Sequence, residues 1–173
     1  MTVPASDSRR AKVAVCSVVL SLASFTSSVQ SQLKSFKHSD GTTHWYEAVA
    51  VPTPGITWSA AHLAAAAAGG YLATITSQAE SDVVFGLIDD AKYWSSGIGP
   101  WFGGTQQVGS VEPAGGWKWV ESESFTYQNW ATAKPDDSGK ADATFFYHAR
   151  GARAATWSDG NKVNFRPGYV IEY

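Results

Sequence analysis

One residue of 173 is a cysteine, Cys16, and it lies inside an apolar run near the start of the chain. With no second thiol to pair with, an internal disulfide framework is excluded. That apolar run, 13–25, falls short of the roughly 20 residues a membrane-spanning helix needs. Cationic residues are in no surplus: 13 Lys and Arg stand against 15 Asp and Glu, a formal net charge of -2. This argues against nucleic acid, whose binding rests on cationic contacts to phosphates. Charged residues make up only 16% against 44% hydrophobic, so a packed core is expected and not disorder. Catalytic signatures are also missing. His38, His44, His62 and His148 have no metalloprotease spacing, there is no Gly-x-Ser-x-Gly elbow, and Gly97, Gly99 and Gly103 lack the dinucleotide-binding spacing. No enzyme is expected. His148 beside Arg150 reads as ordinary surface.

The first segment present is a leader. Arg9, Arg10 and Lys12 precede the apolar run, and small and polar residues follow, with Val29-Gln30-Ser31 as a cleavage site. That is the layout of a secretory signal peptide. Residues 1–31 are therefore read as a signal peptide, 32–43 as a polar linker or lead-in, and 44–173 as the folded domain. A secreted, extracellular protein is expected, with no stable membrane insertion after cleavage. An uncleaved anchor is the alternative.

Within 44–173 the periodicities alternate between strand and helix. Residues 44–51, HWYEAVAV, read as a strand with Tyr46, Ala48 and Ala50 on one side, ended by Pro52 and Pro54. Thr57 is an N-cap for an alanine-rich helix over 58–68, stopped by Gly69-Gly70. A short strand over 71–75 follows. Ser77 and Glu80 form a capping box, and Val83, Val84, Leu87 and Ile88 share one stripe of the helix it opens. Trp117 and Trp119 alternate onto one strand face. Residues 143–148 form a strand, and Thr156-Trp157 a shorter one ending at Ser158-Asp159-Gly160. The chain has eight Trp in all, each a candidate either for the core or for a platform under a sugar ring.

Residues 115–137 carry a family resemblance. Trp117-Lys118-Trp119 leads through Phe125, Tyr127 and Asn129-Trp130 into a polar loop holding Lys134-Pro135-Asp136, and Trp157-Ser158-Asp159 follows. This resembles the centre of a C-type lectin-like domain. Trp58, Gly69-Gly70, Leu72-Ala73-Thr74-Ile75, Ser77 with Glu80, Trp101-Phe102-Gly103-Gly104 and the closing Gly168-Tyr169-Val170-Ile171-Glu172 match further motifs of that family, in order. The resemblance spans about residues 45–173. It implies an α+β fold: two helices packed on small antiparallel sheets, the first and last strands paired antiparallel, and a long ligand loop over 129–142. It implies a lectin-like module that binds a carbohydrate or glycoprotein ligand through that loop. A calcium-independent protein-interaction or adhesion module on the same fold is the second reading. The family's two usual disulfides fall at Ala65 with Ile171 and at Ala143 with Lys162, and all four positions lack cysteine together. Aromatic burial is expected to compensate, at about 1.5–3 kcal/mol per large apolar side chain.

The resemblance also implies a calcium site, and here the residues depart from it. The family's ligand positions fall at Lys134, Asp136, Ala141, Ser158 and Asp159. Calcium takes about six to eight oxygens, several of them carboxylates. Only Asp136 and Asp159 qualify, with Asp142 replacing Ala141 after a one-residue shift. The family's second calcium position falls near Gln106, with Asp137 and Glu112 at hand. The candidate ligand-binding residues are therefore Lys134, Asp136, Asp137, Asp142, Ser158 and Asp159, with Asp136 and Asp159 as the metal candidates. Calcium stays possible, and no other cofactor is expected. The favoured expectation is that the Lys134 ammonium replaces the cation, pairing with both Asp136 and Asp159. A cis peptide at Pro135 would match the family's loop.

Overall fold

The computed structural model describes Met1 and residues 32–173. The signal peptide expected over 1–31, with Cys16, lies outside the described residues apart from Met1. The lead-in expected over 32–43 contains a strand, β1 (Leu33–Lys37), which runs antiparallel to β2 (Thr43–Ala50) with Leu33 opposite Glu47 and Lys37 opposite Thr43. Backbone pairing makes this strand, since four of its five side chains are exposed. A sequence pattern built on burial therefore carries no sign of it.

Helix α1 (Trp58–Ala67) begins where the Thr57 hydroxyl accepts from the amide of Ala60 at 3.3 Å. It buries Trp58, Ala61 and Ala65, and the chain leaves it through Gly69 at φ +88°. Strand β3 is only Tyr71–Leu72, shorter than the expected 71–75. Ala73 still bonds to β8 through its amide and the Val170 carbonyl at 3.0 Å, but the next amide, of Thr74, donates to the Glu172 carboxylate at 2.7 Å. Helix α2 (Gln78–Ile88) is capped by Ser77, whose hydroxyl accepts from the amide of Glu80 at 3.2 Å. The return half of the capping box does not close on Ser77. Glu80 is fully buried, and its carboxylate accepts from the Thr76 amide at 2.6 Å, from the Thr76 hydroxyl at 2.8 Å and from the Tyr46 hydroxyl. Val84, Leu87 and Ile88 face the core as the stripe predicts.

Strands β4 (Ile98–Gln106), β5 (Trp117–Trp119), β6 (Ala143–Tyr147), β7 (Trp157–Gly160) and β8 (Gly168–Glu172) complete the domain. The sheet order is β1-β2-β8-β4-β6-β7, with β3 on β8 and β5 on β4. The ends of the domain are paired as expected: β2 and β8 run antiparallel, with Tyr46 opposite Glu172 and Ala50 opposite Gly168. One parallel bridge, Trp101 to Tyr169, joins the strands expected as small antiparallel sheets into a single path. Among the described residues no helix is long and apolar enough to cross a membrane.

Trp157 is fully buried at the middle of an aromatic cluster. Its ring lies 5.1 Å from Phe102, 5.6 Å from Tyr127, 5.8 Å from Trp119 and 5.9 Å from Trp130. Tilted and edge-on rings at such spacing add about 0.5–1.5 kcal/mol per pair beyond the area they bury. Trp58, Trp101, Trp117, Trp119 and Trp157 are all buried and belong to the core, whereas Trp45 is 47% exposed. A second cluster holds Ala65, Ile171 and Ala143, three of the four positions where the family's cysteines would fall. Arg166 closes it, its guanidinium 3.9 Å from the Phe145 ring and 4.5 Å from Trp101. Burial pulls the Arg166 pKa down to about 10. On β8, between β2 and β3, burial pushes the Glu172 carboxyl up to about 7, against the opposing pull of the Thr74 amide, the Tyr71 hydroxyl and His44.

Candidate functional site

The long loop hangs from β7. The amide of Trp157 donates to the Asn129 carbonyl and the amide of Ala131 to the Trp157 carbonyl, each at 2.8 Å. The aromatic cluster thus sets the loop's root, because Trp130 and Trp157 are both part of it. Beyond Trp130 the chain has no core to fill and coils on itself. The Lys134-Pro135 peptide is cis, and Ala133, Asp137 and Lys140 take positive φ of 60°, 50° and 61°.

Asp159, at the end of β7 and only 5% exposed, anchors this coil. Its carboxylate accepts from the amide of Asp136 at 3.1 and 3.0 Å and from the amide of Asp137 at 2.7 Å. The loop's own acids do the same one turn further out. Asp137 Oδ1 accepts from the Ala141 amide at 2.9 Å, and Asp136 Oδ1 from the Ser138 amide at 3.2 Å. Lys134 Nζ donates to Asp136 Oδ2 at 2.7 Å and lies 5.7 Å from the Tyr147 ring. The hydrogen bond from Lys134 holds the Asp136 carboxyl below the usual carboxylate range.

The expected residues are therefore only partly brought together. Lys134, Asp136, Asp137 and Asp159 form one connected group. Lys134 pairs with Asp136 but not, as expected, with Asp159, which is occupied by backbone donors. Ser158 is 1% exposed, and its hydroxyl donates to the Asp159 carbonyl at 3.2 Å. Asp142 stands apart, its Oδ2 3.9 Å from Lys162 Nζ.

Calcium does not fit this group. Both oxygens of Asp159 are committed to N–H donors, an ammonium sits on Asp136, and Ala141 is buried with no oxygen side chain. The second family position fits no better. Gln106 Nε2 donates to Glu112 Oε2 and to the Gly115 carbonyl, both at 2.8 Å, so an amide satisfies the oxygens a cation would have gathered.

Two features escaped the sequence reading. A hollow of about 470 Å³ opens beside the loop's root, lined by Ala131, Thr132, Ala149, Arg150, Thr156 and His148. At the opposite end of the domain, His38, His44, Glu80 and Glu172 gather into one cluster. Each set comes from separate turns and strands, so no spacing along the chain marks it.

No protein-family model matches the chain. A stretch of 85 residues is 31% identical to the type-2 ice-structuring protein of Hemitripterus americanus, covering 49% of this chain and 45% of that protein. The chain thus spans about half the length of the curated relative it matches. The fold is similar to the C-type carbohydrate-recognition domain of cow CD23, with TM-score 0.55 and 20% identity over 75% of this chain and 87% of that one. It is also similar to a calcium-independent type II antifreeze protein, with TM-score 0.58 and 20% identity over 83% of this chain and 97% of that one. The chain has the C-type lectin-like α+β fold.

Proposed function

We propose that residues 44–173 form a secreted module that binds a carbohydrate or glycoconjugate on its long-loop face without calcium, after removal of the leader over 1–31. The observation that carries this reading is the state of Asp159: its carboxylate organises the loop through two backbone amides, a task that leaves no role for a cation. The loop is thus held ready by its own donors, and a preorganised surface loses less entropy on binding. Next to it lie the polar groups a sugar hydroxyl needs. Asp136 has a side chain 40% exposed, and Thr132, His148 and Arg150 edge the adjoining hollow. The cow domain named above supports the ligand class, having been solved in the presence of an oligosaccharide. The test is a glycan array probed in chelator and again in calcium. Equal binding in both supports the proposal, and binding only with calcium, or none in either, overturns it.

A second reading is favoured by the 31% match to an ice-structuring protein and by the structural likeness to a calcium-independent antifreeze protein. Under it the same face meets an ice lattice. Thermal hysteresis of the purified chain in chelator decides between the two.

A further inference from the structure

We propose that the β1–β2 hairpin and the buried end of the domain form a site for a zinc-like divalent cation, with His38, His44 and Glu80 as ligands and Glu172 orienting His44. The site lies away from the long loop and is independent of the reading given above. His38 follows β1, His44 is in β2, Glu80 is in α2 and Glu172 ends β8. Their ligand atoms converge: one nitrogen from each of His38 and His44 and a carboxylate oxygen of Glu80 all lie within 4.8 Å of one another.

Three observations favour a cation over a plain ion pair. His38 Nε2 faces Glu80 Oε1 at 3.3 Å, yet it is sealed from solvent and has no hydrogen-bond partner among the described residues. A tetrahedral zinc with bonds of about 2.0–2.1 Å places neighbouring ligand atoms about 3.3–3.4 Å apart, so the His38–Glu80 spacing accommodates two ligands on one ion. Second, Glu80 is fully buried with its Oε2 committed to Thr76, while its Oε1 accepts one hydrogen bond, from the Tyr46 hydroxyl, and lies 3.3 Å from His38 Nε2. Third, His44 is already arranged as a ligand. Its Nδ1 is hydrogen-bonded to the buried carboxylate of Glu172, whose place is fixed by Tyr71 at 2.9 Å and the Thr74 amide at 2.7 Å. A metal-bound imidazole characteristically gives its other N–H to a carboxylate, which sets the tautomer and leaves the second nitrogen's lone pair for the metal.

The donor set selects the ion. Two imidazole nitrogens and one carboxylate suit zinc and its neighbours, whereas calcium takes oxygen ligands. Packing holds the rings in place: His38 and His44 lie 4.2 Å apart, and Phe36 meets His38 edge-on at 4.9 Å. Side-chain exposures of 14% and 18% place the two histidines near the surface, although His38 Nε2 itself is sealed, so an ion enters only as the hairpin opens. Bound there, it would tie the hairpin to α2 across the end of the sheet.

The test uses the full chain in a Cys16→Ser background, stripped with chelator, desalted and titrated with Zn²⁺ by calorimetry and by thermal melting. A single zinc per chain is expected, with a higher melting temperature. Binding should vanish in His38→Gln and in His44→Gln, weaken about 10–100-fold in Glu172→Gln, and persist in His62→Gln and His148→Gln. Co²⁺ in place of zinc should give tetrahedral visible bands that the His38 and His44 variants lose, with circular dichroism showing the variants folded. The proposal is overturned if zinc produces neither heat nor a melting shift. It is overturned equally if binding survives both the His38 and His44 changes, or disappears with His62 or His148.

Discussion

Asp159 holds Asp136 by its backbone: the Asp159 carboxylate takes the Asp136 amide at 3.0 Å, while the Asp136 side chain turns away to the Lys134 ammonium. Two carboxylates expected to share one cation thus never face each other across it. One works as an anchor and the other as half of an ion pair.

Removing the anchor should loosen the loop more than removing the ion pair. Asp159→Ala removes the acceptor of two part-buried amides, and because water can reach them the cost stays below the about 1–3 kcal/mol of a fully buried donor left unsatisfied. The amides of Asp136 and Asp137 should lose protection in hydrogen exchange, while the core strands keep theirs. Unchanged exchange at these two amides would contradict the anchor role.

Lys134→Ala should cost little. The pair is partly exposed, and such pairs contribute about 0–1 kcal/mol. Lys134→Glu brings a third acid beside Asp136 and should disorder the loop in metal-free buffer. In the unmodified chain, adding calcium should leave the melting temperature where it was. A rise of several degrees with calcium would return the family's metal site to this loop.

The ion pair fixes the sign of a pH effect. The Asp136 carboxyl is lowered from its ordinary 3.8 in the folded state, first by the hydrogen bond from Lys134. A depressed carboxylate stabilises the fold above its unfolded pKa and loses that contribution as pH falls through the folded value. The loop should therefore keep its form at neutral and mildly acidic pH and release only below about 3.8. Carboxyl NMR of Asp136 should show titration below the ordinary 3.8, and Lys134→Ala should move the midpoint back up.

Trp157 joins the loop's root to the core. Trp157→Ala should cost about 3–5 kcal/mol, the range for truncating a buried large aromatic. Because the Trp130 ring packs on it at 5.9 Å, ligand binding on the loop face should fall along with stability. Denaturant melts paired with glycan binding check this, and a stability loss below 1 kcal/mol would show that the ring is not the centre of the core.

Sequence alone determined the elements whose formation is local. Thr57 and Ser77 cap the two helices because a hydroxyl ahead of a helical run has a free amide to meet. Trp117 and Trp119 share a buried face because a strand alternates. The order of the motifs also led to the fold and to the pairing of β2 with β8. Tertiary structure decided everything that depends on which donor reaches an acid first. Glu80 reads as half of a capping box, yet in the folded chain Tyr46 and Thr76 take its carboxylate. Asp159 reads as a metal ligand, yet the coiled loop brings two amides to it. His38 and His44 show no spacing worth noting along the chain. They meet Glu80 and Glu172 only because β1 pairs with β2 and β2 with β8, a hydrogen-bonded register that side-chain pattern does not encode.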